Sequence, residues 1–149
     1  MPDTPHRLMS PKILLLLIFL LISACNSGSS DSLVEMKFYP LDKMPADIQA
    51  APAAVQQAYQ YAVANSEIMT HIPCYCGCGA MGHTSNYACY ASGQASDGSV
   101  IFDTHALGCS ICVDITLDTM RLVEEGQSVA EIKGYIDQTY SQYGPSNMP

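Results

Sequence analysis

Basic residues are scarce in this chain: six Lys and Arg stand against 14 Asp and Glu, and the formal charge at pH 7 is −8. Phosphate neutralisation needs a Lys/Arg surface, so nucleic acid is excluded as an expected partner. Charge of either sign is also sparse, at 13 % of residues against 48 % apolar, a balance that excludes wholesale disorder and leaves enough side chain for a packed core. A length of 149 residues excludes a multidomain enzyme. Beyond one run near the start, no stretch approaches the roughly 20 apolar residues that a membrane-spanning helix needs.

That one run is Ile13 to Ile22, ten apolar residues preceded by Arg7 and Lys12 and followed by small residues. It is half the length of a spanning helix and has the order of a signal peptide. It ends in Leu21-Ile22-Ser23-Ala24-Cys25, which resembles the bacterial lipobox. The resemblance implies cleavage before Cys25 and acylation of its thiol; an ordinary secretory signal is the alternative. Each buried methylene contributes about 0.8 kcal/mol, so two or three acyl chains anchor durably where one does not. Loss of Asp3, Arg7 and Lys12 with such a leader leaves four basic and 13 acidic residues. The expected organisation is a lipoprotein signal peptide over residues 1–24, a lipid-anchored flexible tether over 25–46 that includes the polar stretch Asn26 to Ser32, and a Cys-rich helical domain over 47–145. The domain is expected outside the cytoplasm of a bacterium. Asn26 beside the lipidated residue points to the outer membrane if the host has two membranes.

Seven cysteines are present, and with Cys25 assigned to lipid six remain: Cys74, Cys76, Cys78, Cys89, Cys109 and Cys112. An even number outside the cytoplasm suggests three disulfides. Cys74, Cys76 and Cys78 lie too close in sequence to bridge one another without strain, so each would pair outward. The alternative is soft-metal ligation. Alternate residues of extended backbone share a face, so Cys74 and Cys76 aim two sulfurs the same way, and Gly77 and Gly79 let the chain turn Cys78 inward. Histidines flank the same thiols: His71 before Cys74, His83 after Cys78 and His105 before Cys109. Each also has a plain structural alternative as a capping or core hydrogen-bonding residue.

Thiolates favour Cu(I), zinc or iron–sulfur clusters, and imidazole is compatible with the first two. An iron–sulfur cluster does not suit an exported lipoprotein. Zinc templates show two C-x-x-C or C-x-x-H pairs, whereas only Cys109-Ser110-Ile111-Cys112 fits here. The denser C-x-C-x-C, with the thioether of Met81 nearby, favours Cu(I), leaving zinc second. Haem attachment fails because Val113 follows Cys112. A thioredoxin-like dithiol lacks its βαβ surroundings but remains the one enzymatic alternative, since a Cys at a helix start has a lowered pKa. Asp114, Asp118, Glu124 and Glu125 read as a solvated helix face rather than a catalytic pair, and six clustered thiols argue against a single Cys–His nucleophile.

The periodicity predicts a first helix from about Asp47 to Met69, a loop over Cys74 to Cys89 after Pro73, and a short strand at Val100-Ile101-Phe102 following the Asp97-Gly98 turn. A second helix is expected from near Leu107 to Glu125, with Cys109 and Cys112 on one face of its first turn and Gly126 as its stop. Ser128-Val129-Ala130-Glu131 has the pattern of a capping box and opens a third helix closed by Gly144-Pro145. The fold class is mainly α, a small helical domain of about three helices with a long Cys/Gly-rich loop and at most a short strand pair.

Ile72-Pro73-Cys74-Tyr75-Cys76-Gly77-Cys78-Gly79 closely resembles the bacterial lipoprotein family named for its PCYCGC motif. The likeness continues through Gly82-His83, Ser85-Asn86, Cys89, His105, Cys109-x-x-Cys112 and the last two helices, about residues 50 to 143. It implies kinship of fold and an exported location, but no activity, because similar proteins are described as having unknown function. The residues themselves favour a membrane-tethered, non-enzymatic protein that captures or passes Cu(I) to a copper protein or transporter. A disulfide-stapled interaction domain and a thiol redox protein are the alternatives.

Overall fold

The computed structural model describes residues 36–148. The leader, Cys25 and the Ser/Gly stretch therefore lie outside the described residues. The architecture is mainly helical, with three helices longer than one or two turns and a single two-stranded antiparallel hairpin. Among the described residues no helix is long and apolar enough to cross a membrane.

The region expected as one helix from Asp47 to Met69 is three: α1 (Ala46–Gln49), α2 (Ala53–Ala64) and α3 (Ser66–Met69). Pro52 causes the first break. It has no N–H to continue α1, and its fixed φ opens α2 instead. Asn65 causes the second: at φ −121° it leaves helical geometry, and its buried amide donates to the carbonyls of Tyr61 and Lys37, both at 2.8 Å. These bonds also tie down the chain before the helix. Residues 36–46, expected as tether, pack on the domain, with Met44 4 % exposed and Tyr39 N–H donating to the Gln60 carbonyl at 2.9 Å. Their apolar side chains (Met36, Tyr39, Leu41, Met44) are the reason.

The hairpin joins β1 (Ala91–Gln94) to β2 (Val100–Phe102), with a bulge between Ala91 and Gly93. The long helices α4 (Ser110–Glu124) and α5 (Val129–Tyr140) follow. Helix α4 begins three residues later than expected. His105–Leu107 is a separate 3-10 turn, and Cys109 is the extended residue that precedes the first helical turn. Gly126, at φ +79°, ends α4 in a Schellman arrangement, its N–H donating to Val123 O and that of Gln127 to Leu122 O. The capping box is formed: Ser128 Oγ accepts from Glu131 N–H, and the Glu131 carboxylate accepts from Ser128 N–H at 2.8 Å.

Helix α4 is the axis of the domain. It packs against α2 on one side and α5 on the other, burying Val113, Ile115, Met120, Leu122 and Val123. Helix α2 contributes Tyr59, Tyr61 and Ala62, and α5 contributes Ile132, Ile136 and Tyr140. Fully burying each aliphatic side chain contributes about 1.5–3 kcal/mol. The carboxylates read as a solvated face include Asp118, which accepts from Arg121 and from the Tyr140 hydroxyl, joining α4 to α5.

Candidate metal centre

The loop after Pro73 runs across the start of α4 and carries its cysteines inward. Gly77 makes the turn, at φ +84°, where an L side chain would be strained. The second such position is Gly82, at φ +90°, rather than Gly79. Gly79 instead lies against Asn147, whose Cβ would stand 3.4 Å from an added methyl. A 3-10 turn over Cys78–Met81 and another over Tyr87–Cys89 then direct Cys78 and Cys89 to the interior.

Sulfur atoms from distant parts of the chain meet there. Cys74 Sγ lies 3.4 Å from Cys76 Sγ and 3.5 Å from Cys112 Sγ, and the third side of that triangle, Cys76 to Cys112, is 3.6 Å. Cys78 and Cys89 approach to 3.7 Å, and His105 Nε2 stands 3.4 Å from Cys76 Sγ. Four groups of donor atoms each fit within 4.8 Å: Cys76, His105, Cys109 and Cys112; Cys78, His83, Cys89 and His105; Cys74, Cys76 and Cys78; and Cys74, Cys89 and Cys112. All six cysteines of the described residues and two of the three expected histidines are thus brought together. His71 is not; it is exposed and belongs to none of these groups. Met81, considered as a soft thioether, points to solvent at 63 % exposure.

The surroundings hold these donors in place. The Cys112 carbonyl accepts from Tyr90 Oη at 2.8 Å, from Asn86 Nδ2 at 3.3 Å and from the Thr116 hydroxyl at 3.1 Å. The Thr116 hydroxyl sits between Asn86 Oδ1 (2.8 Å) and Tyr90 Oη (2.7 Å). This network is buried, and it fixes the first turn of α4 against the loop. Asn147 clamps the other side, donating from Nδ2 to Cys78 Sγ at 3.4 Å and to Ser85 O at 3.1 Å. The domain therefore continues past residue 145, where its end was expected. At Gly144 an added Cβ would meet Tyr75 O at 2.9 Å, so only glycine lets this segment approach the motif.

Asp103 orients the histidines. One carboxylate oxygen accepts the backbone N–H of His105 at 2.8 Å, and the other lies 3.5 Å from His83 Nε2. His83 Nδ1 is buried without a hydrogen-bond partner. A buried ring with one nitrogen facing a carboxylate, the other unpartnered, and a nitrogen within 4.8 Å of the Cys78 and Cys89 sulfurs has the disposition of a metal-ligating histidine.

The electrostatics separate the thiols. Contacts with Cys112, first, and Cys89 hold the Cys74 thiol well below its ordinary value. The contact with that thiolate, joined by Cys89 and by burial, pushes Cys112 far up. Burial, the Cys78 contact and the Cys74 charge raise Cys76; burial and the Cys74 charge raise Cys78. Among the described residues no Lys or Arg hydrogen-bonds a cysteine; Lys37, Arg121 and Lys133 pair with carboxylates elsewhere. Negative charge on these sulfurs is therefore balanced by protons or by a metal. The donor set is suited to a metal ion.

Fold and site together define a small, mainly helical, cysteine-rich protein with clustered buried Cys and His groups that could hold a metal. Residues 14–149 match the family model described as "Protein of unknown function with PCYCGC motif", and the chain belongs to that family. No curated protein and no solved structure matches it.

The sequence reading missed the supporting residues. Asp103 carried a signal, standing two residues before His105 as an Asx turn would require. Asn86, Tyr90 and Thr116 had none, because their convergence depends on how the loop lies on α4, and Asn147 fell beyond the expected domain.

Proposed function

We propose that this protein captures soft metal ions, Cu(I) foremost, through its cysteine cluster. The observation that carries the reading is the gathering of six cysteine sulfurs and the rings of His83 and His105 into four overlapping groups, the donor atoms of each lying within 4.8 Å of one another. Four ligands at metal–sulfur distances of about 2.3 Å around a tetrahedral ion lie about 3.8 Å apart, so little movement separates these groups from ligating ones. Thiolate-rich, imidazole-containing sites select Cu(I) and zinc, and the sulfur excess favours Cu(I). An entering ion displaces the proton of each thiol it binds, which couples capture to ordering of the loop.

Cys76, Cys109 and His105 are half-buried, whereas Cys74, Cys89 and Cys112 are buried. The ion enters from the Cys109 side. Lipidation at Cys25 would hold the site at the outer face of a bacterial membrane, where the ion could be sequestered or passed to a copper protein or transporter. No catalytic role is assigned.

Anaerobic mass spectrometry and elemental analysis of freshly isolated protein test the reading, followed by competition with a Cu(I) chelator. A bound-metal mass with free thiols is the expected result. The proximity of Cys78 and Cys89 favours a disulfide as the second reading. Loss of six hydrogens, with no mass change on adding copper, would establish a stapled domain, and one labile bridge a thiol redox protein; either overturns metal capture.

A further inference from the structure

We infer that the cluster is a tetranuclear site, binding four Cu(I) ions through shared thiolates; this rests on the Cu(I) reading above and specifies its nuclearity. A single ion takes at most four of the eight donors gathered here. The question is how the remainder are arranged, and the four donor groups answer it.

Any two of those groups have one residue in common. The first and third share Cys76, the first and fourth Cys112, the second and third Cys78, the second and fourth Cys89, the third and fourth Cys74, and the first and second His105. Six donors each common to two of four groups is the connectivity of a tetrahedron of ions bridged along its six edges. Equivalently, the six donors mark the corners of an octahedron, and alternate faces hold the ions. In that octahedron the opposite corners are Cys74 and His105, Cys76 and Cys89, and Cys78 and Cys112. The close donor contacts of 3.4 to 3.7 Å described above all join adjacent corners. The Cys74–Cys76–Cys112 triangle is one of the four faces left open between ions.

The chemistry of each corner fits its place. A thiolate has lone pairs enough to bridge two monovalent soft ions, and five corners are cysteine. An imidazole nitrogen binds one ion only, so the His105 corner cannot complete both of its sites. Those are the two groups that carry a donor of their own, Cys109 in one and His83 in the other. Every site then has at least three donors, the coordination that Cu(I) readily accepts from thiolates, and the one that keeps His105 has four. Four unit positive charges against six thiolates leave a net charge of −2, with no cationic side chain hydrogen-bonded to the sulfurs; a single ion would leave most of them to be neutralised by protons.

The test is an anaerobic titration of the reduced full-length chain with Cu(I), read by elemental analysis and native mass spectrometry, with X-ray absorption on the saturated sample. The expected result is saturation at four ions per chain and a short metal–metal scattering path. Cys74→Ser removes the donor common to both sulfur-only groups and is expected to lower saturation from four to two. If that variant does not fold by circular dichroism, the wild-type stoichiometry and scattering path decide alone. Saturation below four without a metal–metal path overturns the tetranuclear assignment and leaves Cu(I) capture standing. Failure to hold any Cu(I) against the chelator overturns both.

Discussion

Asn147 and Cys74, 73 positions apart, exchange two hydrogen bonds: Cys74 N–H donates to Asn147 Oδ1 at 2.7 Å, and Asn147 N–H donates to the Cys74 carbonyl at 3.0 Å. The pairing resembles a single rung of sheet closed by a side chain. It fixes the first cysteine of the motif, while the other end of the same amide reaches Cys78 Sγ. Asn147→Ala removes the side-chain bonds and leaves a buried backbone donor unsatisfied, at a cost of about 1–3 kcal/mol. Thermal melting should fall accordingly, and Cu(I) competition should show weaker binding. An unchanged melt would exclude the clamp.

Neighbouring positions in the motif should respond in opposite ways. Cys76 faces the cluster, whereas the buried Tyr75 turns toward α5 and donates its hydroxyl to Asp137 at 2.6 Å. Cys76→Ser should reduce Cu(I) affinity by orders of magnitude. Tyr75→Phe should leave affinity nearly unchanged and cost about 0.5–1.5 kcal/mol of stability. Equal affinities of the two variants in a chelator competition would refute the ligand assignment.

Asp103→Asn keeps the size of the side chain but removes the charge facing His83. Outer groups that orient a ligating histidine are typically worth 10- to 100-fold in metal affinity. A loss in that range is expected, without a comparable loss when the exposed His71 is changed to Asn. If His71→Asn weakens binding as much as Asp103→Asn, the histidine assignment is reversed.

Metal affinity should rise with pH. Cys76, Cys78 and Cys112 are raised above the ordinary thiol value and keep their protons at neutral pH, whereas Cys74 is lowered by its sulfur neighbours. Binding through the first three releases protons, and each proton released changes the apparent affinity by about tenfold per pH unit. Competition titrations between pH 6 and 8, roughly the range in which the free thiols stay protonated, should show affinity falling toward the acid side. A flat profile would mean that the bound thiols were ionised beforehand.

The last two long helices were legible because their signals are local. The Ser128/Glu131 box and Gly126 each act within one turn, and both stand where the residue pattern put them. The first helix was misread because the apolar stripe runs on across Pro52 and Asn65, and bonds from Asn65 to Lys37 and Tyr61 decided the second break. Strand β1 was invisible: Ala-Ser-Gly-Gln has no alternation or β-branched residue, and it pairs only because β2 folds back upon it. For the site, residue type and count disclosed the cysteines, but which thiols stand adjacent follows from where the loop crosses α4. His71 was a casualty of the same gap, since proximity in sequence to Cys74 does not carry its ring inward.

Because the donors grade from half-exposed Cys109 to fully covered Cys89 and Cys112, traffic through the cluster would have a direction. An ion held at the rim by the half-buried Cys76 and Cys109 would be the one that an outside thiol could attack. Interior ions would leave by migrating from one bridging sulfur to the next until they reached that rim. Exchange would then proceed as a relay through one doorway, and slow leakage would accompany tight storage without any moving lid.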